Sequence, residues 1–199
     1  MTTLLTDCSN EVFDQVQHVL GEFTDLKGDF HLQRPQLKVK DRQSGQIVET
    51  ITNHVPDLVF TTARLSNPLA QKNASVLYRF RQGQPFPGEP ALSWTINGEK
   101  GEIRLIAQDG TTLHAMAYTG PVTVELHDFA TDKVNKVEWA WEDWQEDLPF
   151  IARSVAQLYE NYAAGNKVPT FQDALKRHEQ LEDMLSTWKS RGEKNDRII

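Results

Sequence analysis

Asp7, Glu11 and Asp14 stand four and three residues apart within LLTDCSNEVFDQVQHVLGEF (4–23). On an α-helix that spacing puts all three carboxylates on one side. Clustered carboxylates repel one another, so one of them can hold its proton near neutrality and serve as a general acid. The same acids also complement the positive end of a helix dipole, a role that needs no substrate. Three carboxylates would suit a hard cation, but no loop with calcium-ligand spacing accompanies them, and no metal is expected. Cys8 sits beside them at a helix start, which favours a thiolate; its acidic neighbours oppose that, and no histidine is near in sequence. It reads more simply as a small buried residue.

The remaining reactive or binding-competent side chains are scattered. The six histidines show no metal-ligand spacing. His31 and His114 fall in β-type runs and could reach a pocket, although surface or core roles are more usual for either. His178 lies on the apolar stripe of the last helix and is expected in the core. Trp139, Trp141 and Trp144 crowd VEWAWEDWQED (137–147). Aromatic residues two apart would wall a ligand site, or plug a strand-to-helix junction. Tyr78, next to Arg79, could point into a site or simply alternate across a sheet. With Trp94, the candidate substrate-binding set is His31, Tyr78, Trp94, His114, Trp139 and Trp141.

These side chains need a scaffold, and the apolar pattern supplies one. Val12/Phe13, Val16 and Val19/Leu20 recur at helical spacing, and Gly21 suits the turn after a helix. A strand-rich stretch follows: Phe23 to Leu32, Leu37 to Asp41, Gln46 to Ile51, Asp57 to Leu65, Ala74 to Arg81 and Leu92 to Asn97. It continues with Glu102 to Ala107, Thr111 to Ala117, Val122 to His127 and Val134 to Trp139. Ser44-Gly45, Asn97-Gly98 and Asp109-Gly110 mark turns, and QPFPGEP (84–90) a proline-rich loop. Two helices close the chain. The first carries Leu148, Ile151, Val155, Leu158/Tyr159 and Tyr162, ending at Gly165. The second carries Phe171, Ala174/Leu175, His178, Leu181, Met184/Leu185 and Trp188, behind a capping pattern at Thr170 and Asp173.

An unbroken block of strands flanked by helices predicts an α+β fold: one large, mainly antiparallel sheet with helices packed on one face. Such a sheet leaves its other face to water or to a partner, and a homodimer through that open face is expected. A single domain over 1–199 is expected, with a frayed tail from about 190.

Composition narrows the function classes. Charged residues make up 25% of the 199 positions and hydrophobic ones 39%, as in an ordinary globular chain. The net charge of −7 argues against a nucleic-acid partner. No apolar run is long enough to span a bilayer, and no leader pattern opens the chain, so no membrane partner is expected. The lone Cys8 fits a reducing compartment, and a cytoplasmic location is expected.

Four segments carry a family resemblance: DQVQHVLGEF (14–23), VPDLVFTTARL (55–65), WTINGEKGEIRLIA (94–107) and PFIARSVAQLYENYAAGNKVPTFQDALKRHEQLEDML (149–185). They resemble the C-terminal domain of the glucose–fructose oxidoreductase, inositol dehydrogenase and rhizopine-catabolism superfamily (Gfo/Idh/MocA). Within it the chain looks most like the fungal branch that contains the galactose-pathway repressor. Relatives place a Rossmann domain before this one, with a glycine-rich fingerprint and a Glu-Lys-Pro lysine. Neither motif is found here, so the resemblance implies a chain beginning where the second domain of a relative begins, and no nicotinamide cofactor. The family's Asp-x-x-x-His-x-x-Asp helix pattern reads Asp7-x-x-x-Glu11-x-x-Asp14, with Glu11 at the position of the proton-transferring histidine.

Two functions follow as expectations. The first is a cofactor-independent enzyme of small-molecule, secondary-metabolite biosynthesis. It would bind a small apolar organic substrate and promote isomerisation, elimination or cyclisation, with Asp7, Glu11 and Asp14 as catalytic acids. The alternative is a non-catalytic, dimeric regulatory or interaction module similar to the galactose-pathway repressor.

Overall fold

Apolar residues that switch from a period of 3.6 to a period of 2 and back require helix, strands, then helices. The computed structural model describes residues 4–68, 70–83, 86–108, 110 and 122–195. It opens with α1 (Leu4–Leu20), followed by β1 (Glu22–His31), β2 (Gln36–Lys40), β3 (Ile47–Thr52), β4 (Leu58–Ser66) and β5 (Ser75–Arg81). Then come β6 (Leu92–Asn97), β7 (Gly101–Ala107), β8 (Val122–Asp128) and β9 (Lys133–Val137). The helices α2 (Asp143–Glu146), α3 (Phe150–Ala163) and α4 (Phe171–Asn195) complete it. The expected strand Thr111 to Ala117, and His114 with it, lie outside the described residues.

The α+β class is as expected, and every pairing among the described strands is antiparallel. Those strands are shared among sheets of order β1-β4-β5, β2-β3 and β6-β7-β8-β9. Two compact units result, Met1–Gly83 with Gln172–Ile199, and Gln84–Phe171. The three prolines of QPFPGEP fall between β5 and β6, where they cannot extend a ladder.

In the first unit, β4 is the central strand. Its Val59, Thr61 and Ala63 are buried on the side facing the helices, while Phe60, Thr62 and Arg64 are exposed on the other. Phe13 of α1 is 1% exposed and meets Phe23 and Tyr78 edge-on, with ring centroids 5.7 and 5.4 Å apart. Helix α4 lies over β1: a Cβ on Gly28 would come 3.1 Å from the Met184 Sδ, so a larger residue there would make Met184 shift. Gly21 ends α1 at φ 97°, donating its N–H to the Gln17 carbonyl, and the Asn67 Nδ2 caps the Leu20 carbonyl at 2.9 Å.

The stripe of α4 departs from the expected one toward its N-terminus, whereas Leu181 and Met184 are buried as expected. His178, Phe171 and Leu175 are exposed, and the buried positions are Arg177, Leu181 and Met184. His178 is therefore not a core residue. Its neighbour Arg177 is buried in its place because the partners for a buried charge lie on that side.

Strands β2 and β3 form a two-stranded arm. Only Leu37 of its two strands is not fully exposed. The arm is held at its base. Asn53 is buried, donates from Nδ2 to the Val55 carbonyl at 3.0 Å, and its own N–H reaches the Pro35 carbonyl at 2.8 Å. Asp57, 1% exposed, accepts the Gln33 N–H at 2.7 Å.

The second unit sets a two-faced sheet. Trp94, Leu105, Val124 and Val137 pair across β6–β9 on one face. Thr95, Arg104, Glu125 and Lys136 do so on the other, where Arg104 donates to Glu125 Oε2 at 2.6 Å. In α2, Gln145 is 4% exposed and donates to the Arg153 carbonyl at 3.2 Å, joining α2 to α3. The apolar stripe of α3 is not covered: Ile151, Val155 and Tyr159 are 58%, 51% and 70% exposed.

Candidate functional site

Helix α1 carries the three candidate acids, and its register decides on which side of the helix their positions fall. Val12, Phe13, Val16 and Gln17 are buried. Each residue turns the helix by about 100°, so positions 7, 11, 14 and 18 fall on the opposite side.

Of the three acids, Asp14 has a described environment. Its side chain is 54% exposed and its Oδ1 lies 3.4 Å from the Arg177 Nε. Arg177 reaches it from α4 and is only 5% exposed. A buried guanidinium is costly unless its donors are answered; Nε has only the ion pair to Asp14, and the Nη atoms carry the hydrogen bonds. The Arg177 Nη1 and Nη2 fork onto the two carboxylate oxygens of Glu22, both at 2.8 Å, and Nη1 also donates to the Gln17 Oε1 at 2.9 Å. Gln17 closes the network: its Oε1 accepts the Phe23 N–H at 2.9 Å and its Nε2 donates to Gln180 at 3.0 Å. Lys176 adds a second cation, 3.1 Å from Glu22.

These contacts fix the charge states. The hydrogen bonds from Arg177, against the opposing effect of burial and with help from Lys176, lower the Glu22 pKa from 4.5 to about 2. Glu22 in turn raises the pKa of Arg177. A carboxyl this acidic has no proton to give near neutrality, so Glu22 acts as a fixed anion that anchors α4. No spacing rule pointed to this cluster. The one available signal was a charged residue four positions before Leu181 on a helical stripe.

The other candidates are spread out. Tyr78 lies beneath α1 against Phe13, across from Thr61, with its hydroxyl buried. His31 is on the opposite, outer side of that sheet, 3.3 Å from Asp29 and edge-on to Phe60. Tyr78 and His31 therefore do not share a site. In the second unit, Trp94 pairs with Leu105 on the apolar face. Trp139 and Trp141 lie beyond the end of β9, not within a strand, with ring centroids 5.9 Å apart. Trp139 donates to the Val122 carbonyl at 3.1 Å, and Trp141 meets Phe150 and the Arg153 guanidinium. That arrangement plugs the junction before α3. Among the described residues no cluster of three His, Cys, Asp or Glu side chains could hold a metal ion. No helix among them is long and apolar enough to cross a membrane.

An antiparallel α+β chain led by an acid-lined helix defines a domain class rather than a reaction, and the comparisons give that class its family. A family model for "Gal80p, C-terminal domain" matches residues 2–107. The chain belongs to that family. Among solved structures, the transcriptional regulator Gal80p from Kluyveromyces lactis is 16% identical with a TM-score of 0.72, over 96% of this chain and 46% of that one. A super-repressor mutant of Gal80p from Saccharomyces cerevisiae is 17% identical with a TM-score of 0.70, over 93% and 48%. An oxidoreductase domain protein from Kribbella flavida is 16% identical with a TM-score of 0.62, over 93% and 49%. The family match bears out the resemblance to the galactose-pathway-repressor branch, and at such identities the likeness to the solved structures is one of fold. The chain spans about half the length of each of them. No curated protein matches it in sequence.

Proposed function

We propose that this chain is a non-catalytic interaction module of the Gal80p kind, working by association, in the cytoplasm. The observation that carries the reading is the outer face of the β1-β4-β5 sheet. Helices cover the inner face, yet on the outer one Leu77 is 76% and Phe60 37% exposed. Apolar groups so placed gain free energy when a partner removes them from water. A second copy is the occupant we assign, because each molecule brings the same face and a two-fold pairing satisfies both at once. Sedimentation velocity tests this. A dimer at micromolar concentration is expected, and Leu77→Glu, at a site exposed in the monomer, is expected to dissociate it without lowering Tm. A wild-type chain that stays monomeric at 100 µM (a concentration on the order of weak dimer affinities) would sink the reading.

One observation favours a second reading, the cofactor-free enzyme. Helix positions 7, 11 and 14 line up on the side of α1 turned from the core, as an acid site facing a small apolar substrate would require. In that reading Asp7 and Glu11 transfer protons. The chain is expected to bind no NADPH, and micromolar affinity in a fluorescence titration would overturn both readings. Were turnover of an apolar biosynthetic intermediate found, Glu11→Gln should reduce it ~10²-fold or more, as loss of a general acid does.

A further inference from the structure

The β2–β3 arm is an oddity of charge and of exposure. Isolated two-stranded ribbons are at best marginally stable in water, yet this one exposes Ile47 at 52%, Val48 at 65% and Ile51 at 41%. Val48 is the extra residue of a bulge, since Val39 pairs with Glu49 and Lys40 with Ile47. The arm carries a net charge of +1 in an acidic chain, from Lys38, Lys40 and Arg42 against Asp41 and Glu49. Lys38, Lys40 and Arg42 are all exposed, and none has an ion-pair partner among the described residues.

One other surface is its complement. Residues 138–147 read EWAWEDWQED, five carboxylates without a single basic residue. Glu142, Asp143, Glu146 and Asp147 are exposed and also have no ion-pair partner among the described residues. Trp139 and Trp144 stand among them at 47% and 41% exposure. One surface presents aliphatic side chains framed by free cations, the other aromatic side chains framed by free anions. Such pairs attract at long range and exclude water when joined.

We propose that the β2–β3 arm of one copy docks on the acidic, tryptophan-bearing segment 138–147 of a second copy. This rests on the self-association proposed above and names a second contact within it. A two-fold dimer contains the contact twice, once in each direction. Aromatic anchors flanked by charge are the usual energetic centre of such interfaces.

The experiment exchanges the charges. Chains carrying Lys38→Glu with Lys40→Glu, or Glu142→Lys with Asp143→Lys, alter exposed residues, and unchanged Tm confirms that each folds. Each alone would face like charge in its own dimer, and its dissociation constant by sedimentation equilibrium is expected to rise about tenfold or more. An equimolar mixture of the two altered chains pairs opposite charges at both contacts, so a heterodimer of wild-type affinity is expected to form. Salt should weaken wild-type association as the Debye length falls to ~3 Å at 1 M. Dimerisation untouched by either exchange, but abolished by Leu77→Glu, would overturn the arm contact and leave self-association standing. Affinity restored only when both exchanges sit in one chain, and not in the mixture, would show a contact within a molecule and overturn it equally. A monomeric wild-type chain would overturn both.

Discussion

Arg177 carries a permanent charge at 5% exposure, and the residues that answer it are 155 to 163 positions away in sequence or on its own helix. Arg177→Ala takes away the donors that answer Gln17 and Glu22, so it is expected to cost about 1–3 kcal/mol in urea unfolding. The double variant Arg177→Met with Glu22→Gln is expected to recover part of that loss, because no half-buried carboxylate is then left without its main cation. Acid dependence gives a second check. Glu22 titrates lower in the folded chain, near 2, than its ordinary 4.5, so it binds protons more readily unfolded. Its stabilisation is complete above about pH 4.5 and disappears as pH falls through about 2. The side chain is 38% exposed, and solvent screening reduces the effect to on the order of 1 kcal/mol. Stability measured across that window should fall in the wild type by this much more than in Glu22→Gln; equal slopes would show that the pair does not form in solution.

Among the elements, the arm depends most on a few polar bonds. At its tip the Asp41 carboxylate accepts the Ser44 N–H and the Ser44 hydroxyl, both at 2.8 Å, and these bonds lower its pKa. Gly45 follows at φ 67°, a turn open to glycine. At its base, Asp57 is buried with one carboxylate oxygen taken by the Gln33 N–H and the other without a hydrogen-bond partner among the described residues. Asp57→Ala should remove the acceptor of the Gln33 amide and cost about 1 kcal/mol. Hydrogen exchange should then speed up across 36–52 while β4 amides stay protected; unchanged exchange in the arm would mean that Asp57 does not hold it. Helix α1 shows the other kind of dependence: its buried face is set by Phe13 and Val16 packing, and the acid line follows from that choice.

For the whole molecule, the legible part was local. The opening helix, the turn at Gly21, β6 at Leu92–Asn97 and the strand before α2 all follow from apolar period and from glycine placement. The antiparallel α+β class followed from the unbroken run of strands, and the family from motifs whose residues stand in line. What pattern could not resolve was anything decided by a distant partner. Period 3.6 allows either residue 177 or 178 to face inward, and a carboxylate at position 22 settled it in favour of the charge. The candidate site was legible only as a line on one helix. Tyr78 and His31 are both strand residues, and strand parity put them on opposite faces of one sheet. Amino-acid order by itself therefore determined which segments are helix or strand, where the chain turns, and the acid line of α1. Those depend on interactions within a few residues. Tertiary structure alone decided the partition of strands among sheets, the burial of Arg177 and the exposure of the arm, because each depends on groups that meet only after the chain has closed.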